Sequence, residues 1–369
     1  MGYTIIKGAQ DKRFTGCDFV VQLSQDRKNT KVKILQLTDM QVIDSSQCRT
    51  PDRLRADEMN AWSAERFDEQ CGNHIRSLIA QTQPDLILIT GDIVYGSFDD
   101  SGSTLQWFCA LMDSFQIPWA PVFGNHDNEC KQGVAWQCAC FENSPYCLFA
   151  RGEVSGNSNY TVGIAIEDTL LRVIHMLDSN GCWDCDDPSV IKSGGIYPDQ
   201  VQLMEKNTAS VQLAQGKTVP AFMACHIPVS GFEEAELAKG YKTNERNFYC
   251  IGVDTPAKDG DFGFKFEPYS AIPMGDGWID FLHAQHVDGV FVGHVHNACT
   301  CIHYQDIKWV FGLKTGQYDY HIPGQLGGTL ITLENDAFTV THVPALVHLA
   351  PMPGKARMFN NFFAKDTEQ

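Results

Sequence analysis

Leu86-Ile87-Leu88-Ile89-Thr90-Gly91-Asp92 is a short run of strand-forming residues that stops on a glycine and a carboxylate. A continuous apolar run of this length reads as a strand buried on both faces, the kind that parallel sheets use. The same phrase recurs on either side of it. Residues 32–38 read as a buried strand ending at Asp39-Met40-Gln41, and residues 117–123 lead into Gly124-Asn125-His126-Asp127. Residues 221–225 precede His226, and residues 287–292 precede Gly293-His294-Val295-His296. Helical periodicity fills the gaps. Ile75, Leu78, Ile79 and Thr82 share one face over 68–82, and Leu105, Phe108, Leu111 and Met112 share one over 103–115. A strand is expected over 170–177, helices over 201–213 and around Trp278, Phe281 and Leu282, and a strand-rich stretch from 307 to 343. This alternation predicts α/β layers with ligands gathered at strand carboxyl ends.

Composition bounds the rest. The 369 residues are 43% hydrophobic, enough for a large core without staples. Ligand candidates spread from Asp39 to His296 require one integrated domain across that span. The formal charge of −17 disfavours nucleic-acid polymers and anionic membranes as partners. It does not exclude phosphate substrates, because bound divalent ions dominate the local field. No stretch is long and apolar enough to span a bilayer, and the first residues lack the apolar core of a signal peptide. The expectation is a cytoplasmic protein, with a mature secreted chain the alternative that fourteen cysteines raise. Cys182-Trp183-Asp184-Cys185 has the spacing of a zinc knuckle without a second matching pair. Disulfides or plain thiols are therefore expected there and in the Cys130, Cys138, Cys140, Cys147 and Cys299, Cys301 groups. Asn159-Tyr160-Thr161 is a glycosylation sequon, meaningful only in a secreted chain. Two stretches interrupt the alternation: cysteine- and glycine-rich 130–160, and long, aromatic 232–269. Each reads as a functional loop or as an insertion with its own small core.

The strand-end residues are metal-ligating types. Asp92 can bridge two ions with its two oxygens, and Asp39 can hold one. Asn125 offers a neutral amide oxygen, and His226, His294 and His296 offer imidazole nitrogen. Each motif alone has an ordinary explanation: a lone aspartate caps a helix or turn, and a lone His-x-His decorates a surface. All five in strand order point to two metal ions sharing one carboxylate. Such ions, about 3.5–4 Å apart, are the usual tool for phosphate-ester hydrolysis. His126 is placed to touch phosphoryl oxygens or to protonate the leaving group, with Asp127 either orienting that imidazole or capping the next segment.

With these residues in view, the chain resembles the calcineurin-like metallophosphoesterases over about residues 32–343. Asp39, Gly91-Asp92, Gly124-Asn125-His126-Asp127, Ala224-Cys225-His226-Ile227-Pro228 and Gly293-His294-Val295-His296 carry the resemblance. Leu177-Asp178-Ser179, His226-Ile227-Pro228 and the region of Tyr318 and Tyr320 look closest to the purple acid phosphatase-related branch. The resemblance implies a four-layer α/β/β/α sandwich of two mixed sheets. It places the metallophosphoesterase domain at 31–345, with insertions near 130–160 and 232–270, an N-terminal extension over 1–30 packed on the core, and a tail over 346–369. It implies that Asp39, Asp92 and His296 hold one ion, and Asp92, Asn125, His226 and His294 the other. The ions would be manganese, iron or zinc, with a hydroxide held on them attacking a phosphomonoester or phosphodiester of a small substrate.

Two departures matter. The histidine of the family's first motif is replaced by Gln41. An amide oxygen is a harder, weaker ligand, favouring manganese or magnesium over zinc. Some relatives with glutamine there cleave nucleotide-type pyrophosphates or phosphodiesters, which gives an alternative function; a scaffold without catalysis is another. Tyr95 stands where purple acid phosphatases carry an iron-binding tyrosine, so Gln41 and Tyr95 compete for one coordination position. Gln41 is the favoured ligand, and Tyr95 alternatively a substrate-stacking or core ring. Arg49, Arg53 and Arg55 can clamp a second phosphate or lie solvated, and aromatics of 232–269 can stack on a base or aryl ring.

Overall fold

The computed structural model describes the chain apart from residues 1, 9–10, 28–30, 45–66, 97–98, 100, 183–184, 186, 242–247, 268–276, 318, 323, 335–336 and 347–369. Arg49, Arg53, Arg55 and Tyr318 therefore lie outside the described residues. Among the described residues fifteen strands run in chain order: β1 (Tyr3–Lys7), β2 (Phe19–Leu23), β3 (Val32–Leu37), β4 (Leu86–Thr90), β5 (Trp119–Val122), β6 (Tyr160–Ile166), β7 (Thr169–Met176), β8 (Ala221–Ala224), β9 (Tyr249–Cys250), β10 (Phe264–Lys265), β11 (Val287–Val292), β12 (Cys301–Tyr304), β13 (Ile307–Phe311), β14 (Gly327–Glu334) and β15 (Ala337–Pro344). Eight form one sheet in the order β1-β2-β6-β7-β8-β11-β13-β12, and five form another in the order β15-β14-β3-β4-β5. Both are mixed. β3, β4 and β5 pair in parallel while β14 runs antiparallel to β3, and β7, β8, β11 and β13 are parallel while β6 opposes β7.

Helices cover the outer faces. Phe67–Thr82 (α1) packs on β3 and β14, and Ser103–Ser114 (α2) against Val134–Asn143 (α3). On the other side, Pro198–Gln215 (α4) packs on β7, Gly231–Lys239 (α5) on β12 and Trp278–Ala284 (α6) on β11. This is the expected four-layer sandwich. The continuous apolar runs serve two cores at once, because successive strand residues point to opposite faces. From β7, Ile174 and Met176 join the core that lies between the sheets and under α1 and α2, while Val173 and, just past the strand, Leu177 join the core under α4 and α6. β11 splits likewise, Phe291 to the first and Val290 and Val292 to the second.

The interrupting stretches carry order that periodicity missed. α3 lies inside 130–160, and α5, β9 and β10 inside 232–269. Tyr241 and Tyr249 are buried in the second core, where Tyr249 donates to Glu236 and Lys265 pairs with the same carboxylate. The aromatic stretch is thus at least partly an insertion that packs itself. Cys182 and Cys185 are joined as a disulfide, while Cys130, Cys138, Cys140, Cys147, Cys299 and Cys301 are free thiols. The sequon asparagine is 2% exposed: Asn159 Oδ1 accepts from Asp178 N and Gln200 Nε2, and its Nδ2 donates to Ser155 O. It is a buried loop tie, with no room for a glycan. No helix among the described residues is long and apolar enough to cross a membrane.

One buried group gives the fold a pH dependence. His175 on β7 is 2% exposed, with its ring nitrogens 3.4 Å from Thr161 Oγ1 and Thr208 Oγ1. Burial lowers its pKa from 6.5 to about 4. Between those values the unfolded chain takes up a proton that the folded chain refuses. Its contribution is whole above pH 6.5 and declines as pH falls toward 4, by about 1.4 kcal/mol per pH unit. Urea unfolding followed from pH 7 to pH 4.5 should show this slope in the native chain and a shallower one in His175→Gln. Equal slopes would remove His175 as the cause.

Candidate metal centre

The loops after β3, β4, β5, β8 and β11 meet at one end of the sandwich. They are zipped by backbone bonds: Asp39 N donates to Gly91 O at 3.1 Å, Gln41 N to Asp92 O at 2.8 Å, and Gly293 N to His226 O at 3.0 Å. Four of the candidate residues sit in the left-handed region, Asp39 (φ 52°), Gln41 (φ 46°), Asp92 (φ 51°) and His294 (φ 69°). Non-glycine residues adopt it at a cost, and such strain concentrates at functional sites. Two glycines leave the space these side chains use. A Cβ on Gly124 would lie 2.2 Å from Asp92 Oδ1, and one on Gly293 would lie 2.0 Å from Thr38 Oγ1 and 2.7 Å from Asp39 Oδ2.

Asp39, Asp92 and His226 bring ligand atoms within 4.8 Å of one another, all buried. His226 donates from Nδ1 to Thr90 O at 2.7 Å, and its Nε2 stands 3.3 Å from Asp92 Oδ2. His296 repeats the arrangement, with Nδ1 donating to Tyr320 O at 3.2 Å and Nε2 3.3 Å from Asp39 Oδ1. In each, the Nδ1 proton is committed to a carbonyl, so a neutral ring aims its Nε2 lone pair at a carboxylate oxygen. Two acceptors face each other comfortably only with a proton or a cation between them. Asn125 Oδ1 is buried without a hydrogen-bond partner, as is His226 Nε2. His294 places its ring 5.2 Å from that of His226, and its backbone N–H donates to both oxygens of Asp39 at 3.2 Å. These oxygen and imidazole donors, fixed by carbonyls behind the histidines, fit divalent cations.

Electrostatics agree. Burial pushes the Asp39 carboxyl up, but His296, His226 and Lys314 outweigh it and hold it at about 2. Asp92 is likewise held low against its burial, chiefly by His226. Burial drives His294 down to about 3, keeping it neutral. His226 goes the other way: burial lowers it, but Asp92 lifts it to about 9. A proton thus occupies the place of a cation, and metal binding must expel it. Affinity should fall about tenfold per pH unit below pH 9 and level off above it. Chelator competition from pH 6 to 9.5 measures this, and a flat profile would contradict the assignment of His226.

The geometry bears on three of the open readings. Gln41 is buried, but its Oε1 accepts from Lys314 Nζ at 2.8 Å and its Nε2 donates to Asp92 Oδ2 at 3.3 Å. As placed it is a donor to the Asp92 carboxylate and presents no free oxygen to a cation. Asp127 does not orient His126: its carboxylate accepts from Val94 N at 3.0 Å and Gly124 N at 2.8 Å, tying two ligand loops together. Glu129 holds His126 instead, with Oε2 2.9 Å from Nδ1. Tyr95 lies parallel to the His126 ring at 4.0 Å between centroids, a packing partner of that imidazole. Sequence reasoning missed Glu129, whose only signal was its place one short turn beyond His126. It also missed Lys314, a lone lysine after a strand, which carries no motif at all.

Comparison with known proteins accords with this geometry. The family model described as calcineurin-like phosphoesterase matches residues 32–298. Phosphatase DCR2 of Saccharomyces cerevisiae is 31% identical over 259 residues, covering 65% of this chain and 42% of that protein. Probable inactive purple acid phosphatase 14 of Arabidopsis thaliana is 24% identical over 327 residues, covering 82% and 75%. A dimetal phosphatase from Danio rerio superposes with a TM-score of 0.45 at 13% identity, over 86% of this chain and 96% of that one. The chain spans less than half the length of the fungal relatives it matches. With the match running from β3 past the last histidine of the site, the chain belongs to the calcineurin-like phosphoesterase family.

Proposed function

We propose that this chain is a dinuclear-metal-dependent phosphoester hydrolase acting on a small phosphorylated substrate. The observation that carries the reading is the pair of imidazole–carboxylate contacts, His226 with Asp92 and His296 with Asp39, each 3.3 Å across and each with its Nδ1 already committed. Beside them, the partnerless oxygen of Asn125 supplies a neutral donor. Manganese, iron and zinc all suit such donors. What bound ions supply there is neutralisation of phosphoryl charge and activation of water for attack on phosphorus. The chain's own part is to orient and to transfer protons. Asp92 and Asp39 are anchored by backbone N–H groups of His126 and His294. His126, held by Glu129 and flanked by Tyr95, reaches the pocket mouth with a side chain 13% exposed, placed to donate to a phosphoryl or leaving-group oxygen.

The test uses protein stripped with a chelator and reloaded separately with manganese, iron or zinc. Aryl monoester, aryl diester and nucleotide diphosphate turnover should vanish on stripping and return with at least one metal. Absence of turnover in every reloaded sample would favour a second reading, a fold kept for binding, which the name of the Arabidopsis relative raises. A ligand set complete but for the first-motif histidine argues for the hydrolase. Because Gln41 faces Lys314 with its oxygen, its presence does not itself favour a nucleotide pyrophosphatase; the substrate panel separates that alternative.

A further inference from the structure

Two acceptors stand behind His296, and both belong to one short turn. Tyr320 O accepts from Nδ1 at 3.2 Å, and Asp319 Oδ2 lies 3.7 Å from the same nitrogen. The Tyr320 ring also packs on the imidazole, 4.4 Å between centroids. Asp319 sits in the left-handed region (φ 57°), and its Oδ1 accepts from Tyr320 N at 2.8 Å, so the two residues move as a unit. Where His296 aims its Nε2 therefore depends on where that turn is held.

The aromatic insertion holds it. At β10 the insertion runs antiparallel to the residues that follow His296. Lys265 bridges Ala298, Cys299 N donates to Phe264 O at 2.9 Å, and Phe266 N donates to Asn297 O at 2.8 Å. Glu267 comes next on this arm, and its carboxylate accepts from two directions. Its Oε2 takes Asn297 N at 3.2 Å, and its Oε1 takes the Tyr320 hydroxyl. Asn297 is the residue after His296, and Tyr320 is the residue whose carbonyl fixes the ring. We infer that Glu267 is a positioning residue for His296, and that the insertion serves the centre as a brace acting through this carboxylate. A carboxylate suits the post because it can accept on each oxygen, so both donors are satisfied at once. The buried core of the insertion, where Tyr249 and Lys265 meet Glu236, gives the arm a rigid base. The inference rests on the dinuclear reading above and adds to it a residue outside the donor set.

The experiment measures manganese uptake by stripped protein in equilibrium dialysis, and the visible absorption of protein filled with cobalt, whose bands report donor geometry. Glu267→Gln leaves one acceptor oxygen for two donors. It should raise the free manganese needed to fill the protein by about tenfold or more and shift the cobalt bands. Tyr320→Phe keeps the ring and the carbonyl but removes the hydroxyl, and should do part of the same. The two changes together should cost little more than Glu267→Gln alone, because they cut one shared contact. Tyr241→Phe removes a hydrogen bond to Asp261 inside the insertion and leaves Glu267 untouched. It should lower thermal stability and keep native manganese uptake and native cobalt bands. A folded Glu267→Gln protein with native uptake and native bands overturns the inference and leaves the dinuclear reading standing. So does a Tyr241→Phe protein that loses as much as Glu267→Gln, since the insertion would then act through its stability and not through the carboxylate. Should Glu267→Gln fail to fold, as circular dichroism would report, Tyr320→Phe decides: weaker uptake supports the brace, and native uptake overturns it. A native protein that takes up neither metal sinks the dinuclear reading itself, and this inference with it.

Discussion

Asp92→Asn should lower kcat/KM for phosphoester hydrolysis by at least about 10^3-fold while the protein remains folded. Every neighbour of Asp92 is arranged for a carboxylate. Its Oδ1 accepts the His126 N–H at 2.9 Å, and its Oδ2 faces Gln41 Nε2 and His226 Nε2, each at 3.3 Å. An asparagine must place its NH2 group at one of these oxygens. At Oδ1 it would meet another donor, and at Oδ2 it would donate into the nitrogen that the cation needs. The carboxylate charge is lost either way. So is the main influence that raises His226 above its ordinary pKa, so the variant's His226 should titrate lower than the native one. The fold should tolerate the change, because Asp92 follows β4 rather than lying within it, and the β3, β4 and β5 ladder does not use its side chain. Three measurements are needed: turnover, circular dichroism, and metal content by elemental analysis, where less than two equivalents is expected. A variant with native turnover and two bound ions would show that the carboxylate is not shared.

The reading of Asp92 from sequence alone rested on β4. Its residues are buried on both faces, so the strand appears as an unbroken apolar run, and its end is marked by a glycine and a charge that no core would hold. β3, β8 and β11 were legible for the same reason. β6 was not: Tyr160–Ile166 carries a central glycine and follows a stretch rich in glycine and serine, so composition announced a loop where tertiary pairing with β2 and β7 makes a strand. α3 was hidden similarly. Its Val134–Asn143 sequence mixes cysteine, tryptophan and glutamine, and the contact with α2 rather than a clean stripe holds it. At the site, the candidate ligands were legible because metal chemistry restricts such groups to a few residue types. Their partners were not. Any donor or acceptor of suitable reach can orient a ligand, so nothing in Glu129 or Lys314 distinguishes them from surface charges until the fold buries them. The choice left open for Asp127 has the same root. It adjoins His126 in sequence, but the turn Asp127–Glu129 carries its carboxylate back toward Val94 and Gly124 and brings Glu129 under the ring.

That exchange of roles makes the second large effect specific. His126→Ala should reduce kcat by about 10^2- to 10^4-fold, the range for a positioned proton donor, with metal content preserved. The imidazole is not among the donors that converge on Asp39, Asp92 and His226, so its loss should leave the cation site intact. Glu129→Gln tests how the ring is set. Burial alone would lower the pKa of His126, but Asp92 and Glu129 outweigh it and raise it above the ordinary imidazole value. Removing the Glu129 charge takes away part of that support. The folded-state pKa of His126 then falls, and the alkaline limb of the pH–kcat profile should move to lower pH, because the ring surrenders its proton earlier. Asp127→Asn should leave that limb where it is. Asp127 touches backbone N–H groups and not the ring, so its loss should appear as lower thermal stability and a looser junction between the loops of Asp92 and Asn125. The contrast between the two variants is decisive. If Asp127→Asn shifts the alkaline limb and Glu129→Gln does not, the orienting carboxylate is the one adjacent in sequence. If neither shifts it and His126→Ala retains native kcat, the imidazole takes no part in proton transfer, and donation to the leaving group must come from water.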